Sequence, residues 1–115
     1  LSATGAISDS IGTVRDIPLN TQTSTYTIQA SDAGKAITIT TGGVNIVTGV
    51  FSNGNTTTIF NNSNATQTIS SGPGVTMYLG GTSTTGNRTL ASYGLATVLC
   101  LSSTNGFVII GQGLA

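Results

Sequence analysis

Residues 95–111 constrain the fold of this chain more than any other stretch. Two apolar runs, at 95–101 and 107–111, flank a polar loop that ends in Asn105-Gly106. Asn and Gly tolerate the positive φ that tight hairpin turns need. The sequence therefore predicts a β-hairpin near the C-terminal end.

Both faces of this hairpin carry apolar side chains. In the first run Leu95, Leu99 and Leu101 point one way, opposite Ala96, Val98 and Cys100, and in the second run Phe107 and Ile109 oppose Val108 and Ile110. A sheet that is apolar on both faces needs cover on both. The rest of the domain covers one face, and a second copy of the chain is a candidate for the other.

The scarcity of charge limits the function. The 115 residues include three basic and three acidic side chains and no His, so 5% of the chain is charged and the net charge is zero, against a typical charged share of about 25%. Without a basic patch we expect no nucleic-acid partner. No run is long and apolar enough for membrane insertion. Near-zero net charge favours association, and the composition is typical of an extracellular or virion-surface protein.

From Thr25 onward the chain reads as short alternating strands separated by turn signals. Residues 36–41 alternate between Ile and Thr, and the turn signals include Gly42-Gly43, Asn53-Gly54 and Gly72-Pro73-Gly74. We expect an all-β domain over 21–115, an antiparallel β-sandwich or barrel of about eight to ten short strands. Short connections favour antiparallel pairing, and the lack of a fixed-period repeat argues against a solenoid.

Residues 1–20 differ from the rest and are predicted to form an extended N-terminal arm. Ile7, Ile11 and Val14 fall at helical spacing, but Gly5, Gly12 and β-branched residues disfavour a helix. In an extended chain Ile7, Ile11, Ile17 and Leu19 share one face. Pro18 lacks a backbone donor and suits an edge or an entry point. An arm with such side chains needs a groove, in its own sheet or in a neighbour's. The candidate assembly residues are Ile7, Ile11, Val14, Ile17 and Leu19.

Catalysis is not expected. Without His the commonest general base is missing, and one Cys with three Asp gives few groups for acid–base work or a zinc site. We predict no enzyme activity and no cofactor. Cys100 is predicted to be a small buried side chain, with a reactive thiol as the alternative. Asp32 is expected to bond the backbone two residues further on, with a hard-cation site of nearby carbonyls as the alternative.

Three residues beside polar loops are candidates for ligand binding: Tyr78, Arg88 and Tyr93. Sugars suit polar loops beside aromatic rings, although tyrosines also pack with a bonded hydroxyl and Arg88 can bond loop carbonyls. Thr-x-Thr pairs such as Thr56/Thr58 leave an ice-ordering face open as an alternative to ordinary solvent-facing strand residues.

Several segments resemble one family of virion proteins. They are Val14-Arg15-Asp16-Ile17-Pro18-Leu19-Asn20, Tyr26-Thr27-Ile28 with Ser31-Asp32-Ala33-Gly34-Lys35, Gly86-Asn87-Arg88-Thr89-Leu90, Gly94-Leu95-Ala96-Thr97-Val98-Leu99-Cys100 and Phe107-Val108-Ile109. Together they resemble a β-domain common near the C-termini of bacteriophage tail-fibre and other virion appendage proteins. The resemblance spans residues 12–114 and implies a β-rich, homomeric, non-enzymatic virion part, often used in host-surface attachment.

Two hypotheses follow from these patterns. The first is a structural subunit of a homomeric fibre or filament, assembled through β-strand edges and the arm, with copies of itself as partners. The second is the receptor- or glycan-binding tip domain of a tail fibre, expected to be trimeric, with a host-surface glycan or receptor as partner.

Overall fold

The computed structural model describes residues 17–102 and 106–115. Within these residues nine strands and one 3₁₀ turn form. The strands are β1 (Leu19–Gln22), β2 (Tyr26–Thr27), β3 (Ala36–Ile39), β4 (Val44–Ile46), β5 (Thr56–Asn61), β6 (Gln67–Ser71), β7 (Thr76–Leu79), β8 (Arg88–Cys100) and β9 (Gly106–Leu114), and the 3₁₀ turn is Ala30–Asp32.

The nine strands belong to one sheet that curls into a nearly closed barrel. The order is β1-β3-β5-β8-β6-β4-β2, with β9 paired to β8 and β7 paired to β9. Strands β1, β3 and β5 are parallel to one another, and so are β2, β4 and β6. The chain therefore alternates between two halves of the sheet and returns to the same half in the same direction.

Short corners carry the chain from one half to the other. At the corner between β3 and β4, Gly42 and Gly43 have φ of 88° and 72°, a region that Gly enters without steric cost. A Cβ on Gly42 would lie 2.4 Å from the Thr25 nitrogen, and one on Gly43 would lie 2.2 Å from the Thr68 oxygen. The corner thus packs against the chain before and after it, and no side chain fits there.

Strand β8 joins the two halves. Its first residues pair antiparallel with β6, and residues 95–99 pair antiparallel with β5. Asn61, at the end of β5, is buried beside the bend between these segments. Its Nδ2 lies 3.0 Å from the Leu90 oxygen and 3.0 Å from the Ala91 oxygen, and 2.7 Å from the Ala65 oxygen. The edges of β5 and β6 at this end of the barrel are therefore covered by one strand.

Inward-facing side chains from both halves form a single hydrophobic core. Alternation along each strand directs them inward, and complete burial of such a side chain contributes about 1.5–3 kcal/mol. Fully buried members include Ile37, Ile39, Val44, Ile46, Ile59, Ile69, Met77, Leu90, Val98, Phe107 and Ile109.

The all-β barrel and the C-terminal hairpin predicted from the sequence are confirmed. The prediction of antiparallel pairing is wrong for five of the eight strand pairs, which are parallel. The short connections that suggested hairpins are corners between strands in different halves of the sheet. The parallel strands of each half stack like the coils of a solenoid, although the sequence shows no fixed-period repeat. Leu19 pairs with Ala36, and Ala36 pairs with Thr58, so successive coils differ in length and leave no fixed period.

Asp32 holds the first coil together. Its carboxylate is fully buried and accepts hydrogen bonds from Asn20 Nδ2 at 2.8 Å, from the Tyr26 hydroxyl at 2.6 Å and from the Gln29 N–H at 2.8 Å. The backbone bond thus runs to a residue three positions earlier, not two positions later as we expected. All three groups donate to the carboxylate, so hydrogen bonds from within the chain satisfy its oxygens. Among the described residues no cluster of three or more His, Cys, Asp or Glu includes Asp32.

Where the chain is described, no helix has the length and apolar character needed to cross a membrane.

The substitution Tyr26→Phe tests this network, because the unfolding free energy that it removes should depend on pH. Burial, and then the hydrogen bond to Asp32, raise the pKa of Tyr26 above its ordinary value of 10.0. The protonated hydroxyl therefore stabilises the fold fully below about pH 10, and this contribution is lost as pH rises through the higher folded-state pKa. We expect Tyr26→Phe to lower the unfolding free energy by about 1–2 kcal/mol at neutral pH.

Urea denaturation of both proteins between about pH 7 and pH 11 checks this. The difference in unfolding free energy between the wild type and Tyr26→Phe should decrease toward about pH 11. A difference that stays constant across this range would contradict the role given to the hydroxyl.

Candidate assembly surface

One outer face of the barrel, here called the apolar wall, carries large apolar side chains. It consists of the outward-facing residues of β1, β3, β5, β7, β9 and of residues 95–101. Paired rows cross it from strand to strand, and one row runs through Leu19, Ala36, Thr58, Thr97 and Ile110. Six strands spaced about 4.8 Å apart make the wall roughly 24 Å wide.

Every large hydrophobic side chain that is exposed among the described residues lies on or at the border of this wall. The seven are Ile17 (65% exposed), Leu19 (69%), Tyr78 (39%), Tyr93 (61%), Leu95 (48%), Leu101 (49%) and Ile110 (56%). Single exposed apolar residues are ordinary, but the collection of all seven on one side of the barrel indicates an interaction site.

The opposite outer face, here called the polar wall, provides an internal comparison. It consists of the outward-facing residues of β2, β4, β6 and the start of β8, and its rows pair Thr27 with Asn45 and Thr68 with Thr89. The strands of the apolar wall contain no charged residue, and those of the polar wall contain one, the half-exposed Arg88 at the start of β8. The two walls therefore differ mainly in apolar content, and the exposure of apolar surface to water is unfavourable.

The threonine pairs noted in the sequence are divided between the two walls. Thr56 and Thr58 face outward on the apolar wall, where the Thr58 and Thr97 hydroxyl oxygens lie 3.4 Å apart, whereas Thr66 and Thr68 belong to the polar side. Leu95 and Phe60 interrupt the rows on the apolar wall. The threonines thus do not form the uninterrupted array that an ice-ordering face would need.

The free edge of β1 borders the apolar wall. At the other border, residues 84–86 cover β7 through bonds from the Leu79 nitrogen to the Thr84 oxygen and from the Gly86 nitrogen to the Met77 oxygen. In contrast, β1 pairs with β3 alone among the described strands. The Pro18 and Gln22 oxygens accept from β3. Because backbone groups alternate in direction along a strand, those of Leu19 and Thr21 point away from β3.

Two of the five predicted assembly residues lie where the structure describes the chain. Ile17 and Leu19 are both exposed on the apolar wall, and Leu19 lies within β1 opposite Ala36. Ile7, Ile11 and Val14 lie outside the described residues. Leu19 and Asn20 were assigned to the end of the arm by sequence, and in the structure they begin β1. Asn20 faces inward to Asp32, so β1 carries its apolar side chains on the outside.

The three candidate ligand-binding residues occupy separate places. Tyr78 lies opposite Val108, which pairs with Leu99. Tyr93 lies six positions before Leu99 in β8, about 20 Å along the chain. Arg88 lies beyond the bend of β8, opposite Ile69, and its Nε donates to the Asn87 oxygen at 2.7 Å. The geometry does not bring these three side chains into one site.

Tyr93 has a backbone conformation unlike that of the other non-glycine residues described. Its φ is 58°, in the left-handed region that costs a residue with a Cβ roughly 1–2 kcal/mol. It lies in the interruption of register between Leu90 and Leu95, where β8 bends, and its ring centroid is 6.4 Å from that of Phe60. The bend therefore places an aromatic ring on the apolar wall at the cost of backbone strain. The sequence carries no signal for this conformation.

Cys100 is buried, as the sequence predicts. Its Sγ lies 3.4 Å from the Ser102 oxygen, and burial raises the pKa of the thiol. The thiol form is therefore favoured, which makes Cys100 a packing residue and a poor nucleophile. Among the described residues no group of three or more His, Cys, Asp or Glu could hold a metal ion.

The chain matches no model of a known protein family, and a search of curated proteins likewise finds no match.

Two substitutions at Tyr93 separate the strain from the ring contact. Tyr93→Ala and Tyr93→Gly both remove the ring, but Gly adopts a positive φ readily. We expect the unfolding free energy of the Tyr93→Gly variant to be about 1 kcal/mol higher than that of the Tyr93→Ala variant. Urea denaturation of both variants measures this difference. Equal stability of the two variants would contradict the strained conformation.

Proposed function

We propose that this chain is a non-enzymatic structural subunit of an extracellular or virion-associated homomeric fibre or filament, and that copies associate through the apolar wall. The observation that carries the proposal is the collection of all seven exposed large hydrophobic side chains of the described residues on one uncharged face. The likeness to virion appendage domains supports the same role.

The size of the wall suits a protein interface. Half-exposed side chains of this kind carry on the order of 100 Å² of surface each. The seven together approach the roughly 800 Å² that one partner contributes to a standard interface. The area therefore supports a specific contact and not merely scattered apolar residues.

The chemistry of the wall favours a second copy of this chain as the partner. A charged partner would find no opposite charge on the wall to complement its own. Two copies of the wall incur no like-charge repulsion and cover apolar surface on both.

The exposed apolar area of the wall is enough to favour association. Covering about 100 Å² on each large side chain gains at most about 2.5 kcal/mol, at about 25 cal/mol per Å². Part of this gain is offset by the association cost of about 4–15 kcal/mol and by about 0.5–1.5 kcal/mol for each immobilised side chain, so buried area alone does not fix the affinity. The wall therefore supports an association that depends on protein concentration.

Matched lysine substitutions test the role of the wall. Thr97→Lys places a charge in the middle of the apolar wall, and Thr68→Lys places the same charge on the polar wall. Because both variants change the net charge equally, they differ only in position. We expect Thr97→Lys to weaken association at least about tenfold, the effect of 1.4 kcal/mol, and Thr68→Lys to leave it unchanged.

Light scattering over a concentration series measures the association, and thermal melts of both variants verify that each remains folded. Equal behaviour of the two variants, or a monomeric wild-type protein, would refute an assembly contact at the wall.

A further inference from the structure

We infer that the free edge of β1 accepts an added strand from the N-terminal arm of a second copy, within residues 7–15. The inference rests on the proposed homomeric function and specifies a second contact that gives the assembly a direction. An added strand gains main-chain hydrogen bonds from the edge and side-chain contacts at alternate positions.

The edge of β1 is preformed. The Asn20 side-chain amide donates a hydrogen bond to the buried Asp32 carboxylate, which also accepts one from the Tyr26 hydroxyl of β2. The Gln22 amide donates to the Asn20 side chain at 2.6 Å. The strand is thus fixed in its extended conformation before a partner arrives, which lowers the ordering cost of binding.

The outward-pointing backbone N–H and C=O groups of β1 could pair with the C=O and N–H groups of an added strand. The backbone N–H and C=O groups of Leu19 and Thr21 point away from β3, and β3 is the only strand that pairs with β1 among the described residues. Proteins generally protect such edges with Lys, Pro or an inward charge. Pro18 precedes the strand, but β1 itself contains Leu, Asn, Thr and Gln.

Strand β1 is a better acceptor than β2, the other edge of the sheet. It has four residues against two in β2, and it borders the apolar wall. Apolar residues of an added strand would extend that wall beside Leu19, whereas a strand on β2 would place them next to the polar wall.

The position of the arm favours a neighbour over its own chain. Residues 1–16 lead directly into Ile17 and β1. An antiparallel strand from the same chain would need a tight turn within residues 15–18, which contain neither Gly nor Asn. A parallel strand would need a crossover of about a dozen residues, and Ile7, Ile11 and Val14 would be used in that connection. A second copy avoids both constraints.

The contact is heterologous, because it joins an arm to an edge. Each copy then has one of each, and the assembly closes into a ring or continues as a filament. The opposite end of the barrel offers no equivalent edge, since β8 covers both β5 and β6.

Cross-linking between separately prepared cysteine variants tests the contact in full-length protein. One preparation carries Thr21→Cys, and the other carries Ser8→Cys, Ser10→Cys or Thr13→Cys. The native Cys100 is buried. After mixing with a short bis-maleimide linker, we expect a covalent dimer that joins position 21 of one copy to the arm of the other, identified by mass spectrometry. Thr68→Cys on the polar wall is the matched control and should give no such product.

Thr21→Pro provides a second measurement. It removes an N–H from the free edge without affecting a bond to β3. The matched control Thr27→Pro does the same on β2, where the Tyr26 and Ile28 nitrogens donate to the Gly43 and Asn45 oxygens. We expect Thr21→Pro to weaken association about tenfold, the effect of one lost hydrogen bond, and Thr27→Pro to leave it unchanged. Circular dichroism melts verify folding of both.

The outcomes separate this inference from the proposed function. An oligomer that dissociates with Thr97→Lys but gives no arm-to-edge product overturns the strand addition and leaves the wall contact standing. Cross-linking within one chain, in a double variant that remains monomeric, overturns both. An arm-to-edge product with weakened association of Thr21→Pro supports the inference.

Discussion

The pairing of β8 with both halves of the sheet is the interaction on which this fold depends. Two short stacks of parallel strands would otherwise leave four exposed edges, and β8 covers the edges of β5 and β6 at once. To do so it bends at Tyr93, and Asn61 bonds the carbonyl groups released at the bend. The same arrangement gives the barrel one covered end and one end where, among the described residues, no strand pairs with the outer sides of β1 and β2.

The scarcity of charge leaves the apolar wall without the charged residues that protect many sheets. Many proteins protect strand edges and outer sheet faces with Lys or Glu. In the described part of this chain the charged residues are Asp32, Lys35 and Arg88, and none faces outward from a strand of the apolar wall. The polar wall remains compatible with water through Thr, Ser and Asn. The apolar wall has no such protection, and we propose that another copy of the chain covers it.

Sequence reasoning recovered the parts of the fold that are encoded locally. Period-two alternation and turn residues identified the strands, and the apolar outer face of the hairpin at Leu95 and Ile110 was evident because both faces of that hairpin are apolar. The stacking direction was not recoverable in this way, since corners such as Gly42-Gly43 look like hairpin turns and coils of unequal length leave no period. The hydrogen bonds of Asp32 to Asn20 and Tyr26 join residues in different elements, 12 and 6 positions apart, and the left-handed conformation of Tyr93 lies where the pairing of β8 with β9 changes register.

Sedimentation velocity of the unmodified protein tests the central claim, that an uncharged apolar face is covered by further copies. The measurement is made over a range of concentrations at about 0.05 M and about 1 M salt, which brackets weak and strong screening. The account predicts larger species that increase with concentration and persist at high salt, because apolar contacts are not screened. A single monomeric species at every concentration, or an assembly that dissociates in high salt, would contradict it.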